Sequence, residues 1–465
     1  MKRTAILNLV GLSESLLGPH TPHLNAFRQA GALRRVDPAF PAVTCTAQSN
    51  YLTGTLPATH GVVGNGWYNR ELDEVHFWKQ SNHQVGGPRL WEVLRQADPA
   101  FTCAQLFWWF NMYSGVDWSI TPRPAYPADG RKVFDIYAWP YSLRTEIKRD
   151  LGEFPFPGFW GPAAGRATSL GPADAVTRWI ARAARWVEER HRPSLNLVYL
   201  PHLDYSLQRL GPNHPDIPAE VRRLDEITGE LLAFFRGRGV QVAVLSEYGI
   251  SAVDTPIHLN RLFRDRGWLT VKEELGRELL DAGASKVFAV ADHQVAHIYL
   301  NDPSLQAKVR AALEAQPGVA QVWGTAEKAA GGLDHPRAGD FVAIAQAGAW
   351  FTYYYWRDDA RAPDFARTVD IHRKPGYDPV ELFLDPAVPW IQAKIAWRLL
   401  KKKLGFRMLM DVIPLDATLV RGSHGRRPTD PREWPVLITS RPDLASPSPI
   451  PSTRVFEILR DLVLS

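Results

Sequence analysis

Residues 40–54 of the chain, FPAVTCTAQSNYLTG, crowd hydroxyl and thiol side chains into one short, uncharged stretch. These side chains belong to Thr44, Cys45, Thr46, Ser49 and Thr53. A hydroxyl becomes a useful nucleophile only when a base or a metal ion activates it, so the fold must bring such groups close. Two other interpretations stay open. The stretch could be a Ser/Thr-rich loop that caps a helix, or Cys45 could act as a thiolate, although a buried structural thiol is the simpler alternative.

The elements that would position a nucleophile are short apolar runs separated by helical patterns. The runs are strand-length and do not alternate, which is typical of strands buried on both faces of a parallel sheet. They lie at 4–11, 101–110, 195–200 and 240–249, and the helical patterns lie at 174–191 and 219–239. Sites in such sheets form at the carboxyl ends of strands. The residues at those ends are Gly11, His202, Asp204, Ser246, Glu247 and Tyr248.

The longer segment FPAVTCTAQSNYLTGTLPATHGVVGN resembles the nucleophile segment of the nucleotide pyrophosphatase/phosphodiesterase branch of the alkaline phosphatase superfamily. The matching features, in the family's order and spacing, are Thr44, Thr53-Gly54, Pro57, His60-Gly61 and Asn65. The resemblance implies that Thr44 is the nucleophile, with Thr46 as the fallback candidate, and that Asn65 binds a phosphoryl oxygen.

The same resemblance implies a two-metal site, in which ions about 4 Å apart hold the attacking and leaving groups. Of its seven ligand positions, three keep the family residue in this chain, namely Thr44, Asp204 and His424. At a fourth position Glu247 replaces an aspartate and keeps the carboxylate.

The three remaining ligand positions hold Val10, Gln208 and Tyr248. Asn8, two residues before Val10 on the same strand face, is a weak substitute. The loss of two histidines and a carboxylate weakens a two-zinc site. The alternative is a single hard cation, Mg²⁺ or Mn²⁺, on oxygen ligands. Its candidate ligands are Asp204, Glu247, Asn8 and Gln208.

Other polar clusters could rebuild the site. In VDIHRKPGYDP, Asp370 and His372 stand at alternate positions and, with Tyr248, are candidates for a rewired or substrate-binding site. The other clustered residues, whose ordinary interpretation is a hydrogen-bonded turn, are His202, Asp292, His293 and His297. Arg131 and Lys132 could clamp an anionic substrate or lie in a solvated loop.

We expect an α/β fold with an alkaline-phosphatase-like core, in which a mostly parallel sheet is flanked by helices and a small α+β cap subdomain is inserted. The core is predicted at 1–252 and 336–465, with an irregular aromatic and Pro-rich insertion at 110–172. The cap is predicted at 253–335. The segment HPRAGDFVAIA, 335–345, resembles the family's strand that re-enters the core after the cap.

The composition is that of an ordinary globular protein, with 45% hydrophobic and 22% charged residues. The net charge of +5 suits an anionic substrate and does not indicate a specific nucleic-acid partner. Neither a Walker A nor a G-x-G-x-x-G motif occurs, which argues against the phosphate-binding loops that those motifs form. The two cysteines predict no disulfide framework.

Two segments bear on location. The N-terminal run AILNLVGL is interrupted by Asn8 and Gly11, so we expect a first strand rather than a signal peptide, and a cytoplasmic protein. The segment at 390–406, WIQAKIAWRLLKKKLGF, is a basic amphipathic helix. Its lysine face is expected either in water or in peripheral contact with a membrane.

The sequence thus supports two functions of different class. The first is a metal-dependent hydrolase of phosphodiester or pyrophosphate bonds, with a threonine nucleophile, one or two divalent ions (Zn²⁺, Mn²⁺ or Mg²⁺) and a phosphorylated small-molecule or lipid substrate. The second is a catalytically degenerate family member that binds an anionic metabolite or lipid. The oligomeric state is left open.

Overall fold

The computed structural model of the chain describes residues 1–169, 171–441, 443 and 448–465. Its strands are β1 (Thr4–Leu9), β2 (Ala32–Asp37), β3 (Gly66–Asn69), β4 (Glu74–Phe77), β5 (Cys103–Leu106), β6 (Trp118–Pro122), β7 (Ile136–Trp139), β8 (Leu195–Leu200), β9 (Gln241–Leu245), β10 (Ser251–Ile257), β11 (Val271–Glu274), β12 (Arg277–Leu280), β13 (Val287–Asp292), β14 (Val295–Leu300), β15 (Val319–Trp323), β16 (Phe341–Ala345), β17 (Gly348–Phe351), β18 (Gly422–Ser423), β19 (Val436–Thr439) and β20 (Ile450–Pro451).

Its α-helices are α1 (Pro22–Ala30), α2 (Thr44–Thr53), α3 (Pro57–His60), α4 (Leu90–Ala97), α5 (Tyr141–Leu151), α6 (Ala175–His191), α7 (His202–Leu210), α8 (Ile217–Arg236), α9 (Leu259–Asp265), α10 (Gln306–Glu314), α11 (Thr325–Ala330), α12 (Ile391–Lys403) and α13 (Val455–Leu464). Among the described residues, no helix is both long enough and apolar enough to cross a membrane.

The main sheet has nine strands in the order β20-β2-β19-β9-β1-β8-β5-β6-β7. Its central strands run parallel, and β19 and β7 are antiparallel to their neighbours. Every residue of β1 and β8 is buried, as expected for strands covered by helices on both faces. The predicted mostly parallel α/β core is therefore confirmed.

The predicted strands and helices of this core are found with shifted ends. The runs at 4–11, 195–200 and 240–249 form β1, β8 and β9. The run at 101–110 forms only the four-residue β5, because Phe107 and Phe110 take positive φ angles that a strand cannot accommodate. The helical patterns at 174–191 and 219–239 form α6 and α8.

A second sheet consists of four antiparallel strands in the order β13-β14-β16-β15. We expected the segment at 335–345 to hold the strand that re-enters the core, but its strand β16 pairs with β14 and β15 in this second sheet. Its five apolar residues are all buried there. The segment at 110–172, expected to be irregular, contributes β6, β7 and α5. A short apolar run shows that a strand exists but not which sheet it joins.

Candidate active site

Thr44 lies at the first turn of α2, at the carboxyl edge of the main sheet. The residue before the helix, Val43, is extended, and Gly54 ends it in the left-handed conformation with φ 68°. Every side chain of α2 is buried, and Thr44 is only 2% exposed. The first N–H groups of a helix have no acceptor within it, so this end of α2 favours a negative charge.

A hydrogen-bond chain runs from Thr44 through Tyr248 to Asp204. The hydroxyl oxygens of Thr44 and Tyr248 are 3.1 Å apart, and the Tyr248 hydroxyl donates to Asp204 Oδ1 over 3.1 Å. The Tyr248 hydroxyl donates to Asp204, and the Thr44 proton has two acceptors within reach, the Tyr248 oxygen and the Glu247 carboxylate. The three residues come from α2, α7 and the turn after β9, so the sheet edge brings them together.

Asp204 is the proton acceptor at the end of this chain. Burial raises its pKa to about 6, although hydrogen bonds from Gln208 and Tyr248 oppose the shift. Gln208, one turn further along α7, donates its amide to Asp204 Oδ2 over 2.8 Å. Above pH about 6 the Asp204 carboxylate is therefore ionised and able to receive a proton.

Glu247 lies beside the chain and is held by two amides. Its Oε1 accepts hydrogen bonds from Asn8 Nδ2 and Gln48 Nε2, both over 2.5 Å. Gln48 is fixed in turn, because its oxygen accepts the backbone N–H of Trp109. Burial raises the pKa of Glu247 to about 8, and hydrogen bonds from Gln48, Asn8 and the Thr44 hydroxyl lower it.

Asn65 joins the start of α2 to the second sheet. Its side-chain oxygen accepts the backbone N–H of Cys45 over 3.0 Å. Its own backbone N–H and side-chain amide donate to the two carboxylate oxygens of Asp292, over 2.7 and 3.0 Å. Burial raises the pKa of Asp292 to about 7. Asn65, the predicted phosphoryl-binding residue, is thus hydrogen-bonded to the residue that follows Thr44 in α2.

Four aromatic rings lie in a row beside the Thr44–Tyr248–Asp204 chain. Tyr248 and His424 are parallel with centroids 3.6 Å apart, His424 and His293 are 3.7 Å apart, and His293 and Tyr377 are 3.9 Å apart. The Nδ1 of His424 lies 2.8 Å from the Ala42 carbonyl oxygen, so that nitrogen carries the ring proton. Burial lowers the pKa of His424 to about 3, so this ring is neutral at physiological pH.

Several predicted residues have contacts elsewhere. Asp370 pairs with Arg373 and donates its backbone N–H to Glu381, His372 contacts the Phe77 carbonyl, and none of these contacts reaches Thr44. The Thr46 hydroxyl donates to the Val62 carbonyl, which ties the helix to the next loop. Pairs are also formed by His202 with Glu220, by His297 with the Val63 carbonyl and by Arg131 with Asp129. Lys132 is partly buried, and burial lowers its pKa.

The structure distinguishes the two nucleophile candidates at the start of α2, Thr44 and Cys45. Cys45 is buried, and burial together with the charges of Asp292 and Glu247 raises its thiol pKa well above its usual range. A thiol in that state is a poor nucleophile. Thr44 has a proton acceptor within reach, and the Cys45 thiol has no comparable path.

The sequence did not indicate two residues of the site, Gln48 and Tyr377. It gave Asp292 and His293 as a cluster that could rebuild the site, with a hydrogen-bonded turn as the ordinary interpretation. Asp292 ends β13, and His293 follows it in the turn to β14 with a φ of 62°. A non-glycine residue at positive φ is uncommon and often marks a functional turn. No local pattern in the sequence predicts that a turn of the second sheet reaches α2.

The residues present do not form the two-metal arrangement. Among the described parts of the chain, no three His, Cys, Asp or Glu side chains lie together as a group that could hold a metal ion. Both oxygens of Asp204 accept hydrogen bonds, and His424 lies between two rings. A zinc pair therefore finds no free set of ligands here.

The donor chemistry fits a single hard cation better. Glu247 Oε2 and Asn8 Oδ1 are buried and have no hydrogen-bond partner among the described residues. The two side chains contact one another, so their free oxygens belong to the same small region. Mg²⁺ is commonly held by one or two carboxylates together with waters and substrate phosphates, and it needs no complete protein cage.

Comparisons with known proteins agree with this architecture. Over its full length the chain resembles phosphonoacetate hydrolase from Sinorhizobium meliloti 1021, solved with phosphonoformate, with a TM-score of 0.61, 15% identity and 95% of that chain covered. It also resembles an inactive variant of murine ectonucleotide pyrophosphatase/phosphodiesterase 5 solved with AMP, with a TM-score of 0.58, 14% identity and 95% coverage. At these identities the likeness shows the fold, which is alkaline-phosphatase-like as predicted.

Sequence comparison gives the family. An uncharacterized pyrophosphatase/phosphodiesterase of Schizosaccharomyces pombe is 20% identical over 231 residues, which make up 48% of this chain and 39% of that relative. The chain thus spans about two fifths of the length of this curated relative. The family model for type I phosphodiesterase / nucleotide pyrophosphatase matches residues 4–378, which is most of the chain. The chain therefore belongs to the type I phosphodiesterase / nucleotide pyrophosphatase family.

Proposed function

We propose that the chain is a hydrolase of phosphoester or phosphoanhydride bonds and that Thr44 is its nucleophile. The observation that carries the proposal is the Thr44–Tyr248–Asp204 hydrogen-bond chain at the start of α2. Family membership supports the reaction class. The hydrogen-bond chain supports the residue, because it gives one of the four Ser and Thr hydroxyls in 40–54 a route for its proton.

The first chemical step follows from this geometry. As Thr44 Oγ1 forms a bond to phosphorus, its proton passes to the Tyr248 oxygen, and the Tyr248 proton passes to Asp204 Oδ1. The bond between phosphorus and the leaving oxygen breaks, and the leaving group departs with the electron pair. The first N–H groups of α2 favour the negative charge on the phosphoryl oxygens.

The second step releases the phosphorylated threonine. Water attacks phosphorus, and the Thr44 oxygen leaves and takes back a proton along the same chain from Asp204 through Tyr248. The proton of the water is released to solvent or to the product. Tyr248 thus passes a proton towards Asp204 in the first step and back towards Thr44 in the second, so its hydroxyl is needed in both steps.

We propose that Glu247 and Asn8 hold a divalent cation, Mg²⁺ or Mn²⁺, through their free oxygens. Bound there, the cation would supply positive charge beside a substrate phosphate, in a site whose described hydrogen bonds to Asp204, Glu247 and Asp292 include none from lysine or arginine. It would also favour the ionised form of Glu247.

We propose a phosphorylated small molecule as the substrate. Two structural neighbours were solved with small phosphorus-containing acids, AMP in one and phosphonoformate in the other, which supports this class of ligand. A lipid phosphodiester belongs to the same chemistry.

The experiment compares hydrolysis of bis-p-nitrophenyl phosphate by the wild type, Thr44→Ala and the matched control Thr46→Ala. Thr46 lies on the same helix, is equally buried and contacts only the Val62 carbonyl in the hydrogen bonds described. We expect Thr44→Ala to lose turnover while Thr46→Ala keeps it. Equal turnover by both variants would rule out Thr44 as the nucleophile.

One observation favours a second function, in which the chain binds a phosphorylated ligand without hydrolysing it. Thr44 is 2% exposed, and Tyr248 covers His424 in the same buried group. A chain that binds a phosphorylated ligand without turnover would show this arrangement. In that case AMP or inorganic phosphate would raise the melting temperature, while no phosphodiester or anhydride would be hydrolysed with any divalent metal.

A further inference from the structure

Helix α12 and its flanking residues expose several large apolar side chains to solvent. It has no buried residue, and its outer face carries Ala393, Trp397 and Leu400 at helical spacing, with Trp390 and Leu404 flanking the helix at its two ends. The large side chains of this face are 87% (Trp390), 54% (Trp397), 46% (Leu400) and 63% (Leu404) exposed. Phe406, just beyond the helix, is 65% exposed.

The opposite face of α12 is charged and faces the protein. Lys394 and Arg398 both form ion pairs with Asp411, each over 3.0 Å. Ile391 and Ile395 pack partly against the neighbouring core. The inner face therefore combines isoleucine side chains with ion-paired charges, whereas tryptophan and leucine are exposed to solvent on the outer face. An exposed apolar stripe of this kind marks a contact surface.

The charged side chains of residues 389–410, which include α12, are all positive. Residues 389–410 include Lys394, Arg398, Lys401, Lys402, Lys403 and Arg407 and no Asp or Glu. Lys394 and Arg398 are paired with Asp411, whereas Lys402, Lys403 and Arg407 are exposed. The surface that α12 meets must therefore be apolar at its centre and negative around it.

A neighbouring loop adds to the same surface. Lys402 Nζ lies 5.5 Å from the ring centre of Phe134, which is itself exposed. Phe134 stacks on Phe156 at 4.8 Å, so its position is fixed by the protein. Lys402 of α12 thus contacts the segment between β6 and β7.

We propose that α12 binds the surface of an anionic lipid bilayer and lies parallel to it. Tryptophan and leucine enter the headgroup boundary, and Lys402, Lys403 and Arg407 contact the acidic headgroups. At 13 residues α12 is too short to span a hydrocarbon core of about 30 Å, so it lies on the membrane. This inference is independent of the proposed function.

Charge complementarity favours lipid over a second copy of the chain. A dimer that paired two α12 stripes would bring two sets of exposed lysines together, which costs free energy. An anionic bilayer neutralises the same lysines and accepts the tryptophans, which are enriched at membrane–water interfaces.

The test is sedimentation of the full chain with phosphatidylcholine vesicles, with and without phosphatidylserine. One variant, Trp397→Ser with Leu400→Ser, removes the apolar contact, and another, Lys402→Gln with Lys403→Gln, removes charge. The control is Leu275→Ser, which changes a fully exposed leucine in the β11–β12 turn. All of these side chains are exposed, so circular dichroism should show unchanged folding.

We expect wild type and the Leu275 control to bind only the phosphatidylserine vesicles. Each lysine removed should weaken binding about fivefold, and salt should weaken binding further. The Trp397/Leu400 variant should stay in the supernatant. The proposal is overturned if wild type does not sediment with anionic vesicles, or if the control loses binding as the α12 variants do. It is also overturned if light scattering shows a dimer that the Trp397/Leu400 variant dissociates while vesicle binding is unchanged.

Discussion

Tyr248 lies face to face with His424, with ring centroids 3.6 Å apart and planes 6° from parallel. The resemblance implies metal-ligating histidines at both positions, and here one of them is a phenol that covers the other. The same phenol bonds to Thr44 and to Asp204. One substitution therefore removes a metal ligand and provides a proton path.

Tyr248→Phe removes the hydroxyl and keeps the stacked ring. We expect kcat to fall by about 10²- to 10⁴-fold, which is the usual contribution of a positioned acid or base, with little loss of stability. The matched control is Tyr205→Phe, because the Tyr205 hydroxyl is buried and has no partner among the described residues. Steady-state kinetics of both variants measure this change in kcat. Unchanged kcat in Tyr248→Phe would remove Tyr248 from the mechanism.

Cys45→Ala tests the competing nucleophile. Burial raises the pKa of the Cys45 thiol well above its usual range, so no thiolate is available near pH 7. We expect turnover to persist, and iodoacetamide to leave the folded wild type active. Loss of activity in Cys45→Ala, with an unchanged melting temperature, would transfer the nucleophile from Thr44 to Cys45.

Stability should depend on pH through Glu247. Burial raises its pKa from 4.5 to about 8, so between these values the folded chain holds a proton that the unfolded chain releases. The stability that this group contributes is therefore fully present below pH about 4.5 and is lost as pH rises through about 8. Urea unfolding in the presence of a chelator should show this fall, and Glu247→Gln should flatten it.

The control for that experiment is Glu314→Gln, which changes an exposed carboxylate on α10. It should leave the pH profile of the wild type unaltered. If Glu247→Gln and Glu314→Gln give parallel profiles, Glu247 is not the buried, protonated group described here.

Removal of divalent metal should abolish activity, and Mn²⁺ or Mg²⁺ should restore it better than Zn²⁺. The reason is the donor set, which consists of the free oxygens of Glu247 and Asn8. Activity and melting temperature are measured after treatment with EDTA and resupply. Glu247→Gln should lose the metal-dependent rise in melting temperature. Full activity in EDTA, or restoration by Zn²⁺ alone, would contradict this assignment.

The core of the fold and the segments that carry Thr44, Asp204 and Tyr248 could be predicted from the sequence because their signals are local, whereas the hydrogen-bond chain that joins these residues could not. The apolar runs of β1, β8 and β9 identify the central sheet, and Asp204 and Glu247 stand at strand ends, where parallel sheets form sites. The segment at 40–65 carries Thr44 and Asn65 in one fixed spacing.

The remaining site residues could not be predicted because their positions depend on tertiary packing. Asp292 is 227 residues from Asn65 in the chain, yet it accepts two hydrogen bonds from it. The pairing of β16 with β14 and β15 places the turn that carries Asp292 and His293. Strand-length apolar runs do not specify which partner they pair with, so neither the second sheet nor its contact with α2 follows from the sequence.

The most direct test of the central claim is mass spectrometry of acid-quenched enzyme during turnover of bis-p-nitrophenyl phosphate. The predicted result is a p-nitrophenylphosphoryl adduct on Thr44 that is absent from Thr44→Ala, together with loss of turnover in that variant. Turnover by Thr44→Ala at the wild-type rate, or an adduct on another residue, would contradict the account.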